Sequence, residues 1–393
     1  MNGGPAAVKD EICAAVDARA ELLRTVARSI HDHPEENFDE HHAHDVLTAA
    51  IESAGLDVTR SAFGLPTAFA AKAGSTGPVI AVLCEYDALP GLGHACGHNL
   101  IAAAGLGAGL AAATLAERLR GTVVLLGTPG EEGGGGKVLM IERGAFEGVD
   151  AAMMIHPADV DLRWMTTIAY QRLTVEFHGE ASHAAAAPWN GRNALDAAVL
   201  GYMNVAALRQ HIRPDERVHG IFTDGGEKPN IVPARAAMDW YVRAPDRTRL
   251  EALKPRVLAA LRAGAEATGC EVEHRWHEPA YAELRRNRPL EDLFATNAES
   301  LGRLLAEPGT GGEVVGSTDM GNVSHVVPSI HPMLAVAPPG VGIHTAGFAA
   351  HAASDAGDEG VLLGAKAMAM TIVDLWTRPE ALEGCRAAFA RVV

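Results

Sequence analysis

The sequence predicts an α/β fold in which a mostly parallel central sheet, flanked by helices, is interrupted by a smaller ferredoxin-like α+β domain. Three observations predict it: apolar runs repeatedly end in polar clusters, the pattern changes after about Thr167, and helical periodicity returns from about Asn287. A chain of 393 residues is long for one simple core and short for three. We therefore expect two domains.

The N-terminal part opens with helical patterns and continues with buried strands. Ala6 to Ile30 has helical periodicity that Pro34 stops, and Glu40 to Ala54 resumes it until Gly55. Apolar strand-like runs then follow, and each later one leads into polar residues. These runs are Ala68 to Ala73, Pro78 to Cys84, Thr122 to Gly127 and Ala151 to Ile155. Strands that alternate with helices indicate a parallel sheet, whose ligands bind at the carboxyl ends of the strands.

The middle of the chain has a different order of predicted strands and helices. Its segments read, in order, as strand, helix, strand, strand, helix and strand: Arg172 to Phe177, Arg192 to Gln210, Arg217 to Thr223, Ala234 to Val242, Thr248 to Ala267 and Glu271 to Trp276. This β-α-β-β-α-β order is typical of a ferredoxin-like domain. We place it at 169–285, between two parts of the first domain at 1–168 and 286–393. The last part contains the strand Met333 to Val336 and a helix near Glu359 to Leu375.

Composition excludes several classes of protein. A formal net charge of -16 without a basic stripe argues against nucleic acid and anionic membranes as partners. The apolar stretch from Leu100 to Leu115 is rich in alanine and glycine, so we expect a buried helix rather than a membrane span. No signal pattern occupies Met1 to Asp10, and five scattered cysteines suit a reducing compartment. We therefore expect a cytoplasmic protein.

The segment "CEYDALPGLGHACGHNL" concentrates metal-binding side chains after an apolar strand. Glu85, Asp87, His94, Cys96 and His98 lie within fourteen positions. A single histidine or cysteine is more often structural, but five such groups together indicate a site. The combination of thiolate, imidazole and carboxylate suits a zinc-like cation better than calcium or magnesium.

Two further strand ends add polar groups to the same predicted edge. "GTPGEEGGGG" places Glu131 and Glu132 side by side at a bend, where neighbouring side chains point in different directions. One of them can thus bind a metal while the other transfers a proton. His156 follows a third apolar run, "DAAMMIHP". The sequence therefore predicts that three strand ends converge on one metal site.

Four motifs give the chain a specific resemblance to a known family. They are "DALPGLGHACGHN", "GTPGEEGGGG", "ASHAAAAPWNGRNALDA" and "GSTDMGNVSHVVPSIHP", followed by "GIHTAGF". The chain resembles the di-metal amidohydrolases and metallopeptidases that include aminoacylase, carboxypeptidase G, the indole-acetyl-amino-acid hydrolases and the aminobenzoyl-glutamate hydrolase B subunit. It is most similar to the last two. The resemblance implies hydrolysis of an amide bond in a small N-acyl amino acid, aryl amide or dipeptide.

The resemblance also implies a role for each residue of the predicted site. Glu85-Tyr86-Asp87 lacks the histidine of the wider family's His-x-Asp motif, and Cys96 and His98 replace the lost ligands. Asp87 would orient a ligand, and Glu131 would act as general base. The implied ligands of two divalent ions, zinc or manganese, are Cys96, His98, Glu132, His156 and His344.

The inserted domain resembles the family's lid and dimerisation domain. By this resemblance His183 stabilises the tetrahedral oxyanion, from its own subunit or from the partner in a homodimer. Asn230 is implied to hold the substrate, and Arg235 or Arg243 could bind a substrate carboxylate, although an arginine on a strand is more often a solvated rim residue.

Departures from the family pattern leave alternatives open. Asn99 replaces a common aspartate, and "TAGFAAHAAS" carries an unexpected His351, which we interpret as a helix-surface residue. Two rival hypotheses are an aryl-amine deaminase on the same fold and a catalytically silent homologue that binds metal or ligand. We expect His41 to His44 on an exposed helix, and the role of His331 stays open between packing and substrate contact.

Overall fold

The computed structural model describes residues 5–309 and 315–392. Their contacts form two compact units, one within Met1–Thr166 and Leu284–Val393 and the other at Thr167–Glu283. We call them the main unit and the inserted unit. Residues 1–4, which belong to the segment where no signal pattern is expected, lie outside the described residues.

Helices and strands alternate along the chain, and the elements from β8 to β11 belong to the inserted unit. The helices are α1 (Pro5–Asp17), α2 (Ala20–Asp32), α3 (His41–Ser53), α4 (His98–Ala113), α5 (Ala116–Leu119), α6 (Gly136–Glu142), α7 (Ala194–Leu208), α8 (Arg247–Thr268), α9 (Arg288–Ser300), α10 (Met320–Ser324), α11 (Ala346–His351), α12 (Asp355–Thr377) and α13 (Pro379–Val392). The strands are β1 (Val58–Arg60), β2 (Phe69–Ala73), β3 (Val79–Cys84), β4 (Thr122–Gly127), β5 (Ala151–Met153), β6 (His156–Ala158), β7 (Thr166–Thr167), β8 (Ala169–His178), β9 (Arg217–Asp224), β10 (Arg235–Ala244), β11 (Glu271–Trp276), β12 (Val315–Gly316), β13 (Ser329–Ile330) and β14 (Met333–Ala335).

The central sheet of the main unit has the strand order β1-β2-β4-β3-β5-β13. β3 pairs in parallel with β4 and β5, and β5 pairs in parallel with β13. β1 and β2 extend one edge in antiparallel orientation. β3 is almost wholly buried, which suits an apolar strand covered on both faces. The predicted α/β class with a mostly parallel sheet is confirmed.

Helix α4 is buried on all sides, as the apolar stretch after the histidine and cysteine motif predicts. Every residue from His98 to Ala112 is buried, which is expected of a helix that is apolar around its whole circumference. α4 packs against α2, α12 and β3. Small residues permit this close approach, since a Cβ atom on Gly105 would lie 2.5 Å from the carbonyl oxygen of Leu83.

The Gly105→Ala variant tests this packing. We expect a loss of about 1–3 kcal/mol in the free energy of unfolding, because the added methyl group overpacks the contact between α4 and β3. Alanine favours a helix over glycine by roughly 1 kcal/mol, so a net loss shows that packing outweighs propensity. Urea denaturation measures the difference. In the control Gly384→Ala, the new Cβ would lie 3.8 Å from Cβ of Pro289, and stability should be unchanged or higher.

The inserted unit has its own core between a sheet and two helices. Its chain order is β8, α7, β9, β10, α8 and β11, and the antiparallel sheet has the order β11-β8-β10-β9. Alternate residues of β8 are buried, which is the pattern of a strand with one covered face. The ferredoxin-like α+β part of the predicted fold class is confirmed.

Two local predictions differ from the structure. The helical stretch from Ala6 to Ile30 is two helices, although no glycine or proline marks the break. They separate because α1 packs mainly against α12, whereas α2 packs mainly against α4. The expected exposure of His44 is wrong: it is 6% exposed, because it falls within the stripe of α3 that also buries Ala43 and Leu47.

Helix α12 is long and apolar enough to cross a membrane. However, 78% of its most apolar window is buried inside the structure, where α12 packs against α4, α1 and α9. Its apolar surface is therefore already covered by protein, as in the core helix of a globular domain.

Candidate metal centre

Neighbouring parallel strands deliver the polar residues of the site. Glu85 and Asp87 directly follow β3, and Glu131 and Glu132 follow β4. His156 begins β6, just beyond the end of β5. Because β3 lies between β4 and β5 in the sheet, these side chains leave the same edge.

The structure brings six of the predicted residues into one cluster. Within each of three overlapping groups, one nitrogen, oxygen or sulfur atom of every member lies within 4.8 Å of those of the others. The groups are Cys96 with His98 and His156, Cys96 with Glu132 and His344, and His98 with Glu131 and Glu132. Their shared members join them into one centre in the main unit.

Asp87 holds two of these segments together. Its Oδ1 atom accepts a hydrogen bond of 2.9 Å from Nδ1 of His98, and its Oδ2 atom accepts one of 2.8 Å from the backbone N–H of Glu132. Burial alone would raise the pKa of Asp87, but the charge and hydrogen bond of His98 lower it. Because Nδ1 donates to Asp87, Nε2 is the ring nitrogen of His98 that faces the centre, and it can bind a cation once it gives up its proton.

His156 is oriented in the same way. Its Nδ1 atom lies 2.7 Å from the carbonyl oxygen of Pro157 and donates to it. Nε2 is then left with a lone pair, 3.4 Å from Sγ of Cys96. Burial, together with the charge of His98, lowers the pKa of His156 to about 4. A neutral imidazole with a directed lone pair is the form that binds a metal.

His344 reaches the cluster from the C-terminal part of the main unit. Its backbone N–H donates to the carbonyl oxygen of Ala95 over 2.8 Å, and its Nε2 atom lies 3.5 Å from Oε1 of Glu132. The residue has a φ of 64°, in the left-handed region that few residues other than glycine adopt. Such backbone strain is frequent at functional sites. The side chain is 50% exposed, whereas those of His98 and Glu132 are covered.

The two adjacent glutamates have opposite electrostatic environments. Burial and the charges of Glu85 and Glu132 raise the pKa of Glu131 well above its usual value. Burial also acts on Glu132, but the nearby imidazole of His344 and the charge of His98 lower its pKa. Glu131 is thus suited to hold a proton and Glu132 to stay a carboxylate ligand, the division that the sequence predicts.

The donor set fits divalent cations. Four acidic side chains, each at most 10% exposed, lie around His98: Glu85, Asp87, Glu131 and Glu132. A fifth buried acid, Asp319, shares with Glu85 the buried ammonium of Lys137. Nε2 of His98 and Oε1 of Glu132 are buried without a hydrogen-bond partner. Buried negative charge and unpartnered donor atoms of this kind suit a bound cation.

Sequence reasoning misses two residues that support the site, Lys137 and Glu40. Lys137 follows the glycine run directly, within the motif that supplies Glu131, but nothing in its spacing points to a role. The Glu40 carboxylate accepts hydrogen bonds from the backbone N–H of Gly130 over 2.8 Å and from the hydroxyl of Thr67 over 2.7 Å. Glu40 therefore anchors the loop that carries the paired glutamates, a contact that only the folded chain shows.

Stability should depend on pH through Glu40. Burial raises its pKa to about 7 despite the hydrogen bond from Thr67. Its stabilising contribution is therefore complete below the pKa of the unfolded chain and is lost as the pH rises through 7. In Glu40→Gln, the stability relative to wild type should rise by about 2.5 kcal/mol between pH 5 and pH 8, as measured by urea denaturation. The exposed control Glu299→Gln should show no such trend, and a pH-independent difference for Glu40→Gln would contradict the assignment.

The remaining predicted residues, His183, Asn230 and Arg235, belong to the inserted unit. The backbone N–H groups of Ala185 and Ala186 donate to Nδ1 of His183 over 3.2 and 3.1 Å. The exposed imidazole therefore carries its proton on Nε2, as an oxyanion donor requires.

Asn230 and Arg235 have partners within the inserted unit. The carbonyl oxygen of Asn230 accepts a hydrogen bond from Ala184 N–H, next to His183. Glu176 and Asp224 pair with the Arg235 guanidinium at 2.9 and 2.5 Å, so a substrate carboxylate would have to compete with two acids. The substrate-binding roles of Asn230 and Arg235 stay predictions.

Three further residues that the sequence singles out have clear surroundings. The Asn99 amide donates to the carbonyl oxygens of Ala27 and Ala352 over 3.1 and 2.9 Å, which an aspartate carboxylate could not do. His331 is buried, with its ring centroid 5.1 Å from that of His156. His351 is half-buried at the end of α11.

Comparison with known proteins places this geometry in a family. Residues 81–374, most of the chain, match the profile of Peptidase family M20/M25/M40. The chain belongs to this family. The predicted resemblance and the prediction of an amide-bond hydrolase are thereby confirmed.

Individual relatives extend the likeness over almost the whole chain. An Xaa-Arg dipeptidase of Mus musculus is 42% identical over 389 residues, which cover 95% of this chain and 90% of the relative. The p-aminobenzoyl-glutamate hydrolase B subunit of Escherichia coli is 33% identical, and the match covers 95% of this chain and 92% of the relative. A solved structure from Bacillus subtilis, a dinuclear metal-binding peptidase of family M20, has a TM-score of 0.68 at 20% identity. The match covers 91% of this chain and 99% of that structure. At that identity, the structural likeness concerns the fold.

Proposed function

We propose that the protein is a dipeptidase that uses two divalent cations and prefers a basic C-terminal residue. The cluster of Cys96, His98, Glu131, Glu132, His156 and His344 is the observation that carries the metal-dependent hydrolysis. The preference for arginine rests on the 42% identity with an Xaa-Arg dipeptidase. The less similar relatives that act on N-acyl amino acids make such compounds the next substrates to test.

The cations that we propose are zinc or manganese. A thiolate and imidazoles suit zinc, whereas carboxylates suit manganese. Cys96 would be shared between the two sites, since it belongs to the group with His98 and His156 and to the group with Glu132 and His344. When bound, the cations would supply Lewis-acid activation of water and of the scissile carbonyl.

Glu131 is the proposed proton carrier of the reaction. Its Oε2 atom lies 3.9 Å from Nε2 of His98, so it borders the cation site. A glutamate with a raised pKa accepts a proton from the attacking water and later donates it to the leaving amine. His183, with its proton on Nε2, is the proposed donor to the oxyanion, and Asn230 beside it is the proposed substrate contact.

Hydrolysis of a dipeptide panel tests the proposal. The wild-type protein should cleave dipeptides ending in arginine or lysine faster than those ending in alanine or glutamate, and lose activity reversibly with a chelator. Glu131→Gln should lower kcat by about 10²–10⁴-fold, because the variant lacks the proton carrier. Amino-acid release measures turnover, and dye competition measures cation binding, which should persist in the variant.

The matched control is Glu142→Gln, on the exposed side of α6, shortly after Glu131 in the chain. Its turnover should equal that of the wild type. Full activity of Glu131→Gln would exclude the assigned base, and the absence of turnover on every dipeptide and N-acyl amino acid would exclude the proposed reaction.

We also propose a homodimer formed through the inserted unit, in a reducing, cytoplasmic compartment. β9 is an edge strand of the four-stranded sheet, and an open edge can pair with the same edge of a second copy. Apolar side chains surround it: Ile221 of β9 is 64% exposed, and Met203 of α7 is 59% exposed. Five free cysteines support the reducing compartment.

Sedimentation velocity tests the dimer. Ile221→Lys should shift the protein from dimer towards monomer, because a lysine on an edge strand opposes pairing with another strand. The control Leu304→Lys replaces a side chain of the main unit that is 70% exposed, and it should leave the dimer intact. A wild-type protein that is monomeric at every concentration would refute the proposal.

A further inference from the structure

Three segments of the main unit meet at the ammonium group of Lys137. Its Nζ atom lies 2.5 Å from Oε1 of Glu85, at the end of β3. It also lies 2.5 Å from Oδ1 of Asp319, which precedes α10. The backbone N–H of Lys137 donates to the other oxygen of Asp319 over 2.9 Å. Lys137 itself lies on α6, shortly after the paired glutamates.

Burial makes these contacts strong constraints. The side chains of Lys137 and Asp319 are 0% exposed and that of Glu85 is 1% exposed. Burial alone would lower the pKa of Lys137, but the charges of Asp319 and Glu85 raise it, so the group stays an ammonium. A buried charge without its partner is strongly destabilising. The three side chains therefore fix one another.

This network is in contact with the metal centre. While Oε1 of Glu85 pairs with Lys137, its Oε2 atom lies 3.6 Å from Nε2 of His98. Both oxygens lack a conventional hydrogen bond, so the position of the carboxylate depends on Lys137. On the other side, Lys137 and Glu132 belong to one short segment, which Asp319 holds through the backbone of Lys137.

We propose that Lys137 is a positioning residue of the metal centre, which acts by fixing the Glu85 carboxylate beside His98 and by fixing the glutamate loop against Asp319. The inference rests on the proposed metal-dependent hydrolysis. In this role Lys137 would contact neither the cations nor the substrate, but it would determine the positions of Glu85 and of the glutamate loop beside them.

In a second explanation, Lys137 would only neutralise the negative charge of Glu85 and Asp319, without fixing their positions. The two explanations predict opposite changes in cation binding when the ammonium is removed. Loss of a positive charge near the centre strengthens the attraction for a cation. Loss of positioning weakens binding, because the supporting shell around metal ligands contributes to affinity.

Co²⁺ binding to purified full-length variants distinguishes them. In Lys137→Met, we expect Co²⁺ affinity to fall by about 10- to 100-fold, with a changed absorption spectrum of bound Co²⁺ and a loss in kcat that exceeds any change in KM. Lys137→Met/Asp319→Asn restores the local net charge, and it should remain impaired if positioning matters. Dye competition gives the affinity, and thermal denaturation establishes that each variant is folded.

Lys9→Met is the matched control. The Lys9 ammonium pairs with Asp374 over 2.7 Å, and it also belongs to the main unit. This variant should lose stability without any change in Co²⁺ affinity or spectrum. If Lys137→Met does not fold, Lys137→Gln removes the charge but keeps a hydrogen-bond donor, and its Co²⁺ affinity should also fall.

Unchanged or tighter Co²⁺ binding with a wild-type spectrum in Lys137→Met, or in Lys137→Gln if it replaces that variant, would overturn the inference. Wild-type affinity in the charge-restored double variant would do the same. The Co²⁺ measurements need no substrate. A wild-type protein that cleaves no dipeptide would therefore defeat the proposed function, while the result for Lys137 would still be decided.

Discussion

The Asp87 carboxylate is the constraint on which the candidate centre depends. One oxygen fixes the proton on Nδ1 of His98, and the other holds the backbone of Glu132. The strand end after β3, the start of α4 and the loop after β4 thus share one buried anion. Without this carboxylate, the orientation of His98 and the position of the Glu132 loop would both be lost. The geometry of the centre and the local fold therefore cannot vary independently.

Much of this arrangement can be predicted because it follows from short-range patterns. The strand Thr122–Gly127 is apolar and is followed directly by "TPGEE", so the sequence predicts both its extent and the location of the site beyond its end. The inserted unit likewise follows from alternating burial and helical periodicity. The grouping of Cys96 with His98 and His156 combines motif spacing with the rule that parallel strands end at one edge.

The parts of the site that the sequence does not predict depend on contacts between residues that are far apart in the chain. Asp319 lies 182 positions from Lys137, and nothing in the sequence around either residue indicates that the two form an ion pair. A lysine after four glycines resembles a solvated turn until the fold buries it. The three nearby histidines of α3 look polar and predict a surface position for His44, yet the orientation of the helix buries it. Such errors arise where tertiary packing, rather than local periodicity, decides exposure.

Exposure of the His344 side chain determines how solvent reaches the metal centre. Its companions in the cluster are covered by protein, whereas half of this side chain faces water. Of the six clustered side chains, the His344 imidazole is therefore the one that solvent reaches most directly. Since a single residue with a left-handed backbone carries the ring, a small rotation there would move the exposed nitrogen donor without disturbing the buried donors behind it.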